Sequence, residues 1–250
     1  MTGVFLTRGM TVAIPPGGLT LSIGADGKPH GRLTIQVHYD LCPTWLELAS
    51  RHLSDAEERK LARTAAWNTD DQDAKAASLE AGFESSMQAI MAAAIAIDSF
   101  YAALRDKTDI PPETIKAWRE NKTARYKQIV EVLRRAFSIA PRNCINLRKN
   151  LTEIFKARDM AIHPSSAVAA PVLHPELQVD VEWRFAWFRA DNAKDVVEEA
   201  QSIVRELLAK GKPSTPEIHR YIDGLRNLIT AQAVTKEEGQ TDVRAEAGFP

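Results

Sequence analysis

The feature that most restricts the fold is an apolar stripe between positions 74 and 106. Met87, Ile90, Met91, Ala94, Ile97, Tyr101 and Leu104 recur at intervals of three and four. That spacing returns side chains to one side of an α-helix, whose period is 3.6 residues. So long an apolar flank must be covered, and the chain supplies further helices to cover it. A candidate occupies 44–66, followed by a polar loop from Asn68 to Asp73. Pro111-Pro112 opens a short helix. Residues 123–139 place Tyr126, Ile129, Val130, Leu133 and Phe137 on one side. Pro141 opens another helix, which ends at His163-Pro164. Asp191 is an N-cap for a helix closed by Gly211, and Thr215-Pro216 starts a last one.

The first 40 residues carry a different period. Met10, Val12 and Ile14 alternate with polar neighbours, as do Leu19, Leu21 and Ile23, and then Leu33, Ile35, Val37 and Tyr39. Asp26-Gly27 between them is a turn signal, which predicts a small antiparallel meander. Residues 165–176 read as a loop. Leu177, Val179, Val181, Trp183, Phe185 and Trp187 alternate strictly and predict a half-buried strand over 177–189 that joins the N-terminal sheet. The expected class is α+β, mainly α. It comprises a β-meander at 1–43 packed on a helical bundle at 44–232, with the strand near 177–189 inserted and a disordered tail at 233–250.

Of the 250 residues, 44% are hydrophobic and 26% charged, which excludes a disordered polymer, a fibrous repeat and a membrane-embedded bundle. The most apolar run, Ala89–Ile97, is shorter than a membrane span of roughly 20 residues. No signal peptide is visible at the N-terminus, and two cysteines, Cys42 and Cys144, are too few for a disulfide scaffold. The expectation is a soluble protein in a reducing cytoplasm. No phosphate-binding glycine loop, His-Glu-x-x-His, Cys-x-x-Cys or Gly-x-Ser-x-Gly is present, so no cofactor and no metal are expected.

Net charge is −1, but it is unevenly spread. Between Lys116 and Arg158 twelve basic residues face three acidic ones, a net +9 that leaves −10 for the remainder. Such a segment is either a basic face for an anion such as nucleic acid or a solvated helix surface paired with acids elsewhere. Arg134, Arg135, Arg142, Arg148 and Lys149 are its candidate nucleic-acid contacts.

Within that segment, Arg158 lies eleven residues after Leu147, within about 20° of the apolar stripe formed by Leu147, Leu151, Ile154 and Phe155. A guanidinium on a buried face needs partners. Asp98 is likewise eleven residues after Met87, on the stripe of the long helix, so an internal Asp98–Arg158 pair is one explanation and a ligand-facing charge the other. His163 precedes Pro164, which disfavours helical geometry. It therefore marks the helix end, either turned back toward Arg158 or simply stabilised by the helix C-terminal dipole.

Arg158, Asp159 and His163, placed at the end of a helix after two long helices, form an Arg-polar-x3-His pattern that resembles the HEPN family (higher eukaryotes and prokaryotes nucleotide-binding domain). The resemblance covers roughly residues 74–210. It implies a helical bundle, a homodimer with the Arg-His pairs meeting at the interface, and metal-independent cleavage of single-stranded RNA by its own 2′-hydroxyl. Such proteins are often toxins, paired with an antitoxin, or antiviral effectors. Arg158 would stabilise charge on the phosphoryl group, His163 would act as general acid or base, and Asp159 would orient a catalytic side chain. Asp98 is a supporting residue by periodicity. The resemblance equally admits a non-catalytic module for dimerisation, nucleotide binding or partnering a nucleotidyltransferase. A regulator binding nucleic acid through the basic helices and Trp118 is the third reading, and no helix-turn-helix signal accompanies it.

Overall fold

A computed structural model describes residues 4–7, 9–163 and 168–230. The expected tail at 233–250 lies outside them. The chain divides into two compact units, an N-terminal arm through Leu41 and a helical body from Cys42 to Ile229.

The arm contains four strands, β1 (Met10–Ala13), β2 (Leu19–Ile23), β3 (Pro29–Leu33) and β4 (Gln36–Tyr39). They nest: β2 pairs with β3 around the turn, and β1 pairs with β4 outside it, both antiparallel. This differs from the expected meander because residues 14–18, with Pro15 and Pro16, separate β1 from β2, Thr34-Ile35 separate β3 from β4, and β1 pairs with β4 across that break. The Thr34 amide donates to Gly18 O at 2.6 Å. Gly17 and Gly27 both sit at φ +74°, a conformation that glycine adopts without steric cost.

The body begins with α1 (Cys42–Trp67) and α2 (Gln72–Arg105). Asp71 caps α2 by accepting from the Ala74 amide at 3.0 Å. α2 is buried on two flanks. The expected stripe through Ile90, Ile97, Tyr101 and Leu104 is one. The other is a seam of small residues, Gly82, Ser86, Ala89, Ala93 and Ala96, spaced four and three apart. On α1, Cys42, Ala49, Ala56 and Arg63 recur every seventh residue and are all buried. Such spacing keeps one face of each helix against the other, and small side chains let the backbones approach closely. By length and composition α2 is also apolar enough to cross a membrane; just over half of its apolar window is buried within the body.

α3 (Pro112–Glu120) and α4 (Arg125–Ala136) follow, then a 3₁₀ turn (Pro141–Cys144) leading into α5 (Ile145–Ile162). α4 and α5 pack on each other and on α2. The short β5 (Val172–Leu173) and β6 (Asp180–Val181) pair with each other. The 177–189 strand is therefore a correction: β6 has two residues, it pairs with β5 and not with the arm, and Trp183–Trp187 forms a helix, α6. Glu182 caps α6 by accepting from the Arg184 amide at 2.9 Å. Helical geometry brings Phe185 and Phe188, three residues apart, onto the same ring of Phe83, with centroids at 5.2 and 5.6 Å. A strand would aim them at opposite faces.

α7 (Ala190–Lys210) and a last helix, α8 (216–230), complete the body. Arg189, not Asp191, occupies the N-cap of α7, because the Asp191 carboxylate is taken by Lys60 at 2.7 Å and Arg189 at 3.0 Å. Thr215 caps α8 through the Ile218 amide at 3.2 Å. Gly211 closes α7 as expected, but for a different reason. Its φ is −64°, open to any residue, whereas an added Cβ would overlap the Phe137 ring and Leu207 O. Gly211→Ala is expected to lower stability by about 1–3 kcal/mol, the cost of overpacking, read as a shift in the urea midpoint at unchanged slope.

Candidate functional site

α5 presents Thr152, Lys156, Asp159 and His163 at intervals of three and four, and therefore on one face. The N-terminal turn of α4 stands opposite that face. Between them lies a cleft of about 450 Å³ whose walls include Arg125, Lys156, Arg158, Asp159 and His163. Arg158 is half-buried, 22% exposed, with its guanidinium 4.6 Å above the Phe155 ring. His163 is exposed and ends the helix: its backbone has left helical geometry (φ −113°, ψ 72°), and its amide donates to Asp159 O at 2.9 Å. Arg158 and His163 thus share one cleft.

The expected Asp98–Arg158 pair does not form. The Arg158 Nε and Nη2 donate to Asp159 Oδ1 at 3.0 and 2.7 Å. Asp98 accepts instead from Arg125 Nε at 2.6 Å. The reason lies in the packing of α2 against α4: Asp98 and Tyr101, three residues apart on α2, grip the same guanidinium, which lies 4.2 Å over the Tyr101 ring. Asp98 acts on the cleft at one remove, by holding Arg125 in its wall. Sequence reasoning missed Arg125 and Lys156 as site residues. Their contribution arises from the α4–α5 juxtaposition, and the only local hint was their place in the basic segment.

The other basic candidates are not brought to this cleft. Arg134 lies nine residues along α4 from Arg125, about 14 Å of helix rise. Glu131 holds both Arg134 (2.7 and 2.8 Å) and Arg135 (2.6 Å). Its carboxyl is held below the usual range, chiefly by the Arg134 hydrogen bonds. These two arginines border a second cleft of about 470 Å³ with Ser138, Ser214 and Thr215. Arg142, Arg148 and Lys149 are exposed and border neither cleft. Both cysteines are buried free thiols, and burial pushes the Cys144 thiol up, away from thiolate chemistry. Among the described residues, no group of three His, Cys, Asp or Glu side chains is placed to hold a metal ion.

A second polar cluster was also unforeseen. Arg63, 2% exposed on the α1 seam, donates to Glu176 at 2.5 Å. Arg189 approaches Glu176 at 3.5 Å, and Lys60 bridges toward Asp191. Gly82 makes the room: a Cβ there would stand 2.8 Å from Arg63 Nη1. A glycine inside a long helix costs about 1 kcal/mol and was the readable signal. His174 is fully buried beside this cluster. Its Nδ1 accepts from the Glu176 and Leu177 amides at 3.2 and 3.3 Å, which leaves the proton on Nε2, without a partner among the described residues. Burial, and then the Arg63 charge, lower its pKa.

No protein-family model matches the chain, and no curated protein and no solved structure matches it either.

A histidine kept neutral in the fold binds its proton first in the unfolded chain, so its stabilising effect is complete above about pH 6.5 and declines as pH falls below that value. The melting temperature is expected to drop between pH 7.5 and 5.5. In His174→Asn, whose amide oxygen can replace the Nδ1 acceptor, that drop is expected to be smaller.

Proposed function

We propose that this chain is a metal-independent endoribonuclease of the HEPN type, cleaving single-stranded RNA as a homodimer in the cytoplasm, in a toxin or antiviral role. The observation that carries the reading is the shared cleft: Arg158 and His163 line one space, walled by two further cations, Arg125 and Lys156. An RNA phosphodiester is drawn to such a cleft by its charge, and a flexible single strand can thread it. The 2′-hydroxyl attacks phosphorus as His163 takes its proton, the bond to the 5′-oxygen breaks, and that oxygen is protonated by an imidazolium. The products are a 2′,3′-cyclic phosphate and a 5′-hydroxyl end. Arg158 stabilises the charge on the phosphoryl oxygens, and Asp159 fixes the edge of its guanidinium. Asp98 positions Arg125.

One contact favours a second reading, a non-catalytic helical module for dimerisation, partner or nucleotide binding. Asp159 already occupies the Nε and Nη2 donors of Arg158, and an inert domain needs nothing more of that pair.

Purified protein incubated with single-stranded RNA in EDTA separates them. Cleavage with cyclic phosphate ends is expected to persist in chelator and to fall about 10²- to 10⁴-fold in His163→Ala, the usual worth of a general acid–base group. Asp98→Asn is expected to raise KM more than it lowers kcat, because it loosens a binding cation. RNA left intact at high enzyme excess favours the module.

A further inference from the structure

The second cleft lies at the far end of α4 from the first. The first takes Arg125 and Tyr126 from the opening turn of that helix, and the second takes Arg134, Arg135 and Ser138 from its close. Asp109, Ser214 and Thr215 add to the polar part of its wall. Main-chain bonds tie that wall together. The Ile139 and Ser138 amides donate to Arg134 O and Arg135 O at 2.8 and 3.3 Å, and the Ser214 amide donates to Ala136 O at 2.8 Å. Carbonyls at the end of α4 are thereby taken, which blunts the negative end of its dipole. Ser138 holds φ +53°, where a helix commonly ends on glycine. A side chain costs free energy in that conformation, and here it brings a hydroxyl to the lining.

Donors outnumber acceptors around this cleft. Glu131 accepts from Arg134 Nε and Nη2 and from Arg135 Nε. Arg134 Nη1, both terminal nitrogens of Arg135 and the Ser138 and Ser214 hydroxyls have no hydrogen-bond partner among the described residues. Thr215 Oγ1 accepts from the Ile218 amide at 3.2 Å, so its proton is available to a ligand. Because Glu131 already holds both guanidinium groups, a ligand meets them without having to order two long side chains. Guanidinium forks and hydroxyl protons match the oxygens of a phosphate group. Asp109 is exposed on the same lining. Its carboxylate repels a bare phosphate and accepts from hydroxyl groups. No aromatic ring borders the cleft, so a nucleobase finds no stacking partner there.

We propose that this cleft binds a sugar phosphate, with the phosphate monoester on Arg134, Arg135 and the Ser138 hydroxyl and the sugar hydroxyls on Asp109. Its volume of about 470 Å³ falls within the range of small-molecule sites. The assignment gives Arg134 and Arg135 a small-molecule role in place of the nucleic-acid contact expected from charge. It takes nothing from the Arg158 cleft and requires no RNA cleavage.

Titration calorimetry of the full chain at about pH 7.5, where a phosphate monoester is largely dianionic, tests the proposal. Ribose 5-phosphate is expected to bind at least about 10-fold tighter than ribose or inorganic phosphate, and adenosine monophosphate no tighter than ribose 5-phosphate. Arg135→Gln is expected to weaken binding about 10- to 100-fold, the worth of a hydrogen bond to a charged group. Arg142→Gln, which borders neither cleft, is expected to leave it unchanged. Ser138→Gly is expected to raise the melting temperature, because glycine accepts the positive φ, and yet to weaken binding several-fold. Ribose 5-phosphate bound no better than ribose overturns the proposal. So does undiminished affinity in Arg135→Gln or Ser138→Gly, or tighter binding of adenosine monophosphate. Single-stranded RNA that binds through Arg135 where ribose 5-phosphate does not bind overturns it in favour of a nucleic-acid contact.

Discussion

The helical body depends on how closely α1 and α2 approach. The seam between them is built from side chains of one or two heavy atoms, Ala49 and Ala56 on α1 and Ser86, Ala89, Ala93 and Ala96 on α2, with Gly82 contributing none. Small side chains on facing helices let the backbones come close and gain dispersion contacts, and the seam residues named here are buried. With one flank of α2 closed in this way, its larger residues, Ile90, Ile97, Phe100, Tyr101 and Leu104, are free to make the core with α4, α5 and α7. The candidate cleft is a product of that arrangement, because it lies between the N-terminal turn of α4 and the C-terminal half of α5, two helices that both pack on α2.

The same close packing decides where charge can sit. Arg63 occupies a seam position at which α1 otherwise has small residues, and it is tolerated because Gly82 withdraws from it and Glu176 meets it. A buried guanidinium without that carboxylate would be strongly destabilising. At the other end of α2, Asp98 and Tyr101 hold Arg125 at the cleft wall through one ion pair and one ring face. In both places a residue of α2 settles the position of a cation that belongs to another helix. Arg158 differs: its ion-pair partner is its own neighbour, Asp159, and its guanidinium lies over the Phe155 ring, both on α5.

Much of the body was legible because helix ends are marked locally. Pro112, Pro141 and Pro216 stand where helical segments begin, Asp71 and Thr215 cap, and His163 leaves helical geometry ahead of a proline. The cleft's own pair was legible from the same kind of mark: the helical period alone would set Arg158 and His163 about 140° apart, and the helix end ahead of a proline pointed to their sharing one space. The aromatic run at 183–187 misled because alternation describes a strand only when both faces have somewhere to go. Here Phe185 and Phe188 share one partner, Phe83, and a helical turn is the geometry that delivers both. Asp191 misled in a similar way: its type suits a cap, but Lys60, 131 positions away, claims it.

By itself, then, the sequence determined the helices other than α6, the presence of strands in the arm and the place of Arg158 beside the apolar stripe of α5, since each follows from the spacing of neighbours along the chain. Tertiary structure alone decided which charges pair: Asp98 with Arg125, Arg63 with Glu176, Asp191 with Lys60. An ion pair is selected by distance in space and by the water excluded around it, and neither is encoded in the separation of two residues along the chain.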